Sequence, residues 1–373
     1  MNQISLARPS ITDEEIQAVE RALRSRWLTY GPENRAFEEE LAAACGKRFC
    51  LAVSSGTAAL HLSLLAWKDS CAKAEDFSAA LSPAFTFPAT ANVAGFLAPP
   101  PKVHLADVDQ QTFCLPSETI NAWHQRRSGP VLVVHQFGYP CPVPLGVSET
   151  VISDAACAVA VPGAMVGRLV CLSFHPRKLL TTGEGGAVLT DEEELYQRLQ
   201  RLRSHGLYVQ AEQETMSLGV PGLNYRLSEP QAAMGRVQLR RLPRLVAYHR
   251  ELADKYRLLL SDTPLRFQAD HPHRIWQTFA VVLPGSVRRQ AVRAQLKAQG
   301  IETQVASYGL HRLAFYENAP RFPKNPMQSE LSVSTTLHDQ GLALPLHADL
   351  SFQEVERVCT ALKKILSFPQ VLS

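Results

Sequence analysis

The sequence has no CxxC pair, no long apolar run and no marked excess of charge of either sign. Its eight cysteines (Cys45, Cys50, Cys71, Cys114, Cys141, Cys157, Cys171 and Cys359) lie scattered along 373 residues. Such spacing favours reduced, small apolar side chains over a disulfide framework or a zinc site. The 12 histidines show neither HxxxH nor HExxH spacing, which removes the usual helix-borne metal pair. With 38 basic and 35 acidic residues the net charge is +3, so neither nucleic acid nor an anionic membrane is an expected partner. No apolar run approaches the roughly 18 residues a bilayer span needs. The opening MNQISLARPSITDEE lacks a basic segment followed by an apolar core, so a signal peptide is not expected and the expected address is cytoplasmic. GxxxxGK[ST] and a strand-linked GxGxxG are both missing, and with them the signatures of nucleoside triphosphate and dinucleotide binding. There are no internal repeats and no low-complexity tract.

What is present is an ordinary globular composition, 46% hydrophobic and 20% charged. The length suits one large α/β domain with a smaller one, or two medium domains. Thr12 and Glu15 are spaced as a capping box, and Ile16, Val19 and Leu23 recur on one face, which predicts a helix over 10–24. A second helix is expected from about 33 to 44. CLAVSSGTAALHLSLLAW then reads as a short strand, a turn and an apolar helix. KVHLADVD (102–109), PVLVVHQFG (130–138), ETVISDAA (149–156) and LVCLSFHP (169–176) each read as a buried strand running into polar residues. Buried strands with helices between some of them predict a mostly parallel sheet, whose ligands sit beyond the carboxyl ends of its strands. Further on, helices are expected over 191–206, 228–260 (interrupted near Pro243), 286–299 and 351–366. The last pair, with QTFAVVL, predicts a second α+β unit. The division is set at 1–240 for the large domain, N-terminal helices included, and 241–373 for the small one.

Three strand ends carry chemistry. Ser54-Ser55-Gly56-Thr57 offers backbone N–H groups and small hydroxyls to a phosphate, or simply caps a helix. Asp154 follows an apolar strand, and its partner is either a protonated ring nitrogen or a nearby amide or arginine. Lys178 follows a strand and a Pro turn and precedes a Gly/Thr loop; it is a surface charge or a Schiff-base nucleophile. Together with an aromatic ring from Phe85 or Phe87, the other being core, these elements meet the needs of pyridoxal phosphate: a phosphate cup, an anion at the pyridine nitrogen, a ring over its face and a lysine for its aldehyde.

At these residues the chain resembles the DegT/DnrJ/StrS family of pyridoxal-phosphate sugar aminotransferases. The likeness runs through VSSGTAALHL (53–62), PAFTFPATAN (83–92), DVD (107–109), SDAA (153–156), SFHPRKLLTTGEGGAV (173–188), RSHG (203–206), NYRLSEPQAAMG (224–235), LHR (310–312) and LPLHADLS (344–351). The resemblance implies the fold-type-I aminotransferase architecture: a large domain with a mostly parallel seven-stranded sheet and a smaller C-terminal α+β domain. It implies a homodimer with shared active sites. It also implies that Lys178 holds the cofactor covalently, that Asp154 pairs with the pyridine nitrogen, and that Phe87 and Ala156 lie on opposite ring faces. Gly56 and Thr57, with Ser173, would hold the phosphate, helped by Asn224 of the neighbouring subunit. Arg226, Tyr308 and His311 would line the substrate cleft.

The chain departs from the family in three places. Cys157 stands where Gln or His is usual, the segment between Pro140 and Asp154 is short, and the stretch from Gly163 to Cys171 is contracted. Cys157 is expected to act as a packing residue. The expected activity is transfer of an amino group, from glutamate, to a keto sugar that is nucleotide-linked. A dehydratase of the same family would carry histidine in place of Lys178, and a non-catalytic binding or regulatory protein on this fold is the other alternative.

Overall fold

The computed structural model describes residues 3–71, 77–97, 99–126, 129–210, 215–317, 319–323 and 330–367. The chain begins with helices α1 (Asp13–Arg24) and α2 (Pro32–Cys45), followed by strand β1 (Phe49–Val53) and helix α3 (Gly56–Ser70). Next come β2 (Ala79–Pro83), β3 (Phe85–Thr86), α4 (Ala89–Asn92), β4 (Lys102–Ala106), α5 (Ser117–Arg126), β5 (Val131–Val134), β6 (Val151–Asp154), β7 (Leu169–Ser173), β8 (Gly186–Thr190) and α6 (Glu193–Arg203). A hairpin of β9 (Leu207–Gln210) and β10 (Thr215–Leu218) leads to the long helix α7 (Glu229–Leu259). Beyond it lie β11 (Arg266–Phe267), β12 (Phe279–Val282), α8 (Arg289–Ala298), β13 (Gln304–Val305), β14 (Tyr308–Gly309), α9 (Ala314–Glu317), α10 (Ser332–Gln340), β15 (Gly341–Leu344) and α11 (Phe352–Leu366).

The main sheet has seven strands in the order β1-β8-β7-β6-β5-β2-β4. Only β8 runs against the rest, pairing antiparallel with both β1 and β7. The other pairs, from β7 to β4, are parallel. This is the expected sheet, completed by two strands the sequence did not announce. β2 (AALSP) is short and mixed in character, and β8 emerges from the tail of the Gly-rich loop. A smaller antiparallel sheet, β11-β12-β15-β13, is backed by α8 and α11. A third pairing, β14 with β3, stitches Tyr308 and Gly309 to Thr86 and Phe85.

α7 links the two units. Its first half (Ala232, Leu239, Leu242, Leu245) packs in the core with Phe174 and Leu180, and its second half (Leu252, Ala253, Tyr256) packs with Trp276 and Phe279. The boundary expected at 240 falls inside this helix. The interruption expected at Pro243 does not occur: α7 continues through it. Proline removes one N–H from the ladder, and packing against α1, α2 and α11 holds the remainder helical.

The caps read from the sequence are in place, with Thr12 and Glu15 closing α1 and Ser351 and Glu354 closing α11. The buried face of α1 is a correction. Glu15, Ala18 and Ala22 face inward, whereas Ile16 and Leu23 are exposed. Small side chains let α1 lie close against Ala233 and Val237 of α7, and Glu15 is drawn in by Arg241 and Gln238. Among the described residues no helix is long and apolar enough to cross a membrane.

Candidate active site

A cleft of about 480 Å³ opens where the carboxyl ends of β6 and β7 meet the N-terminus of α3. Parallel strands put those ends on one edge of the sheet, so chain reversals there supply the polar groups.

At one end, Ser55 caps α3, its hydroxyl accepting from Ala58 N at 3.0 Å. The first-turn N–H groups of Gly56 and Thr57 have no intrahelical acceptor, which leaves donors and the positive end of the helix dipole facing the cleft. Ser173, at the end of β7, stands against them. A Cβ on Gly56 would come within 2.7 Å of Ser173 Cβ, so glycine is what allows helix and strand end to close into a cradle. Gly186 is needed next door, where a Cβ would meet Ser55 O at 2.5 Å.

At the other end, Asp154 closes β6, 7% exposed. Its Oδ2 accepts from Thr90 Oγ1 at 2.7 Å and its Oδ1 from Ala156 N at 3.1 Å. Burial pushes its pKa above the ordinary carboxylate value; the bonds from Thr90 and Ala156 and the charge of Lys178 oppose that rise. The carboxylate therefore lacks a full counter-charge and would be stabilised by a cation placed in the cleft. Lys178 enters from the turn after β7, with its backbone N–H bonded to His175 O at 2.8 Å. Its Nζ donates to Cys157 Sγ at 3.1 Å. Cys157 is thus a polar contact of the lysine, correcting the expectation of a packing residue. The sharp turn at Asp154-Ala155-Ala156 aims it into the cleft.

Phe87 and Ala156 line the same cleft. Phe85 lies in the core, 1% exposed, while Phe87 is exposed and stands edge-on to Tyr308 with ring centres 6.2 Å apart. Seven of the expected residues (Gly56, Thr57, Phe87, Asp154, Ala156, Ser173, Lys178) are therefore brought together. The other four are not in this lining. Asn224 is exposed and pairs with Ser204, and Arg226 pairs with Val53 at the edge of β1. Tyr308 pairs with Thr86 and meets Phe87 edge-on, and His311 Nε2 meets Thr335 Oγ1 at 2.8 Å. Three residues that sequence reasoning passed over also shape the site. Thr90 holds Asp154; His135, buried beneath the cleft, has its pKa pushed down to about 3 by burial; and Gln277 approaches from the smaller unit. Thr90 sits inside the quoted PAFTFPATAN block, where a hydroxyl near a strand-end acid was a usable signal. Nothing in the sequence marks Gln277.

The cradle, the under-compensated carboxylate and the lysine fit a flat cationic ring that carries a phosphate at one end and an aldehyde between. The sheet and its companion unit place the molecule in the fold-type-I aminotransferase class. Residues 9–363 match the sequence model of the DegT/DnrJ/EryC1/StrS aminotransferase family, and the chain belongs to that family. Among solved structures, it is similar to a putative sugar aminotransferase of Streptococcus pneumoniae in its PLP form, at 22% identity, 100% of both chains and a TM-score of 0.86. It is also similar to Helicobacter pylori PseC, an aminotransferase of pseudoaminic acid biosynthesis, at 24% identity over 98% of this chain and 100% of that one, TM-score 0.86. A third is GDP-4-keto-6-deoxymannose-3-dehydratase (ColD) with bound GDP-perosamine, at 21% identity over 96% and 100%, TM-score 0.84.

Proposed function

We propose that the protein is a pyridoxal-phosphate-dependent transaminase that moves an amino group from glutamate to a keto sugar carried on a nucleotide, in the cytoplasm. The observation that carries this reading is the placement of Lys178 Nζ, the Asp154 carboxylate and the α3 N-terminus around one cleft. When bound, the cofactor supplies an electron sink for the carbon that loses its proton.

The residues of the chain do the rest. Gly56 and Thr57 N–H groups and the Ser173 hydroxyl hold the phosphate. Asp154, held by Thr90 and Ala156, shares the proton of the ring nitrogen as an anion. Phe87 and Ala156 confine the ring from its two faces. Lys178 Nζ, 3.1 Å from Cys157 Sγ, would take up the proton released by the donor and later return it. Arg177, whose guanidinium donates to Gln304 Oε1 at 2.7 Å, lies in the cleft lining and favours substrates bearing carboxylate or phosphate. Lysine at 178 keeps the reading with transamination rather than dehydration.

The nucleotide-linked substrate is supported by the sugar nucleotide in the ColD structure. A homodimer with shared sites is supported by the exposure of Asn224 outside the cleft of its own chain. Ser228, not Asn224, caps α7, so the amide of Asn224 is not committed to its own helix. Exposed Trp27 and Leu28 adjoin the same helix start, where Leu28 O accepts from Glu229 N. A chain that sediments as a monomer while fully active would overturn the shared site.

The direct test is to load the protein with the aminated cofactor and offer keto sugars, free and nucleotide-linked. Return of the aldehyde-form spectrum with a nucleotide-linked keto sugar supports the proposal. No return with any keto sugar, despite a complete half-reaction with glutamate, would refute the acceptor class.

A further inference from the structure

Of the cleft residues described so far, Gln277 alone comes from the smaller unit. The backbone that carries Lys178 is gripped from there. Gln277 lies in the lead-in to β12, 8% exposed. Its Oε1 accepts from Leu179 N at 2.9 Å and its Nε2 donates to Arg177 O at 2.5 Å. These two groups belong to the two peptide planes that flank the Cα of Lys178. Fixing both planes fixes φ and ψ at Lys178, and so the direction in which its side chain leaves the backbone. The amide orientation follows from the partners, since a carbonyl must be met by the NH₂ and an N–H by the oxygen.

The grip is itself anchored. Gln277 N donates to Phe137 O at 3.3 Å, and Ile275 N to Gly138 O at 3.2 Å. Gly138 has φ +89°, and a Cβ there would stand 1.8 Å from Ile275 O, so this approach is open to glycine alone. On the other flank, His249 Nδ1 donates to Trp276 O at 2.8 Å. A side chain aimed from so constrained a segment transmits the position of the smaller unit to the lysine.

We infer that Gln277 is the positioning residue of Lys178: by clamping the peptide groups on both sides, it holds the amine in line with the aldehyde-bearing atom of the cofactor. The inference rests on the pyridoxal phosphate reading above. A merely structural glutamine would affect all cofactor binding alike. A positioning residue affects the bond to lysine and spares the phosphate and ring contacts.

The experiment compares wild type with Gln277→Met, which keeps length but forms neither bond, and Gln277→Glu, which keeps the acceptor but sets a carboxylate against Arg177 O. Two quantities are read. The first is the rate at which added pyridoxal phosphate becomes fixable to Lys178 by borohydride. The second is the affinity for pyridoxamine phosphate, which occupies the site without a bond to lysine. Misplacing a reacting group by about 1 Å costs on the order of 100-fold, so we expect trapping to slow 10- to 100-fold in both variants, with pyridoxamine phosphate affinity changed less than about threefold. Trapping at the wild-type rate in either soluble variant would overturn the inference. So would equal losses in trapping and in pyridoxamine phosphate affinity, or variants too unstable to purify, since each makes Gln277 structural. A wild-type chain that takes up neither cofactor form would instead refute the pyridoxal reading, and this inference with it.

Discussion

The two walls of the cleft are built on different principles. The wall from the main sheet uses backbone: helix N–H groups at Gly56 and Thr57, a glycine that lets Ser173 close in, and a carboxylate fixed at a strand end by Thr90 and Ala156. The facing wall uses side chains on or just before very short strands: Gln277 before β12 and Gln304 on β13. In the proposed reading the first wall holds the cofactor, with a phosphate cup and an acid at the ring nitrogen, whatever the substrate. The second presents replaceable side chains suited to choosing a substrate and orienting one lysine.

That contrast is broken most severely at Lys178. Lys178→Ala should reduce transamination to background while the phosphate cradle still takes up the cofactor; measurable turnover would shift the chemistry to another group. Next is Asp154→Asn, which should lower the rate roughly 10²- to 10⁴-fold, the range typical of a proton-holding group. The same change sharpens the comparison through stability. Burial raises the folded-state pKa of Asp154, so the folded chain binds its proton more tightly than the unfolded one. Its favourable contribution is present below the unfolded carboxylate pKa and is lost as pH rises through the folded one. Cofactor-free Asp154→Asn should therefore melt higher than wild type at neutral pH and match it in acid; equal melting at both would deny that the carboxylate is strained.

Gly56→Ala tests the cradle. Overpacking against Ser173 should cost about 1–3 kcal/mol, read as pyridoxal phosphate affinity lowered by about 10-fold or more. Unchanged affinity would mean the helix start does not hold the phosphate. The smallest effect is expected at Cys157, whose bond to Lys178 Nζ (3.1 Å) is a single contact to a weak sulfur acceptor. Cys157→Ala should change the half-reaction rate by about 2- to 10-fold, in keeping with about 0.5–1.5 kcal/mol for such a bond. Complete loss would make the thiol part of the chemistry.

The main-sheet wall was legible in the sequence because its demands are local. A strand of apolar residues ending in Asp, a Ser-Ser-Gly-Thr turn before an apolar helix and a lysine after a strand are each short words, and the structure sets them at one edge. The opposite wall was not legible. Gln277 acts on residues 98 and 100 positions away, and no short pattern announces such a clamp. β8 was hidden because its first residue, Gly186, and Gly185 just before it are glycines needed for close approach, which read as loop. The face of α1 was misread for a related reason. Apolar periodicity marks a face that avoids water, and in the isolated chain Ile16 and Leu23 remain exposed, which matches the homodimer proposed here.

The central claim is that Lys178 is the residue on which pyridoxal phosphate is held. The most direct measurement is to supply the cofactor, reduce with borohydride, digest and locate the added mass. One modified peptide is expected, that containing Lys178, with loss of the label when glutamate is present before reduction. Label on any other lysine, or none at all on a protein that binds the cofactor, would contradict it.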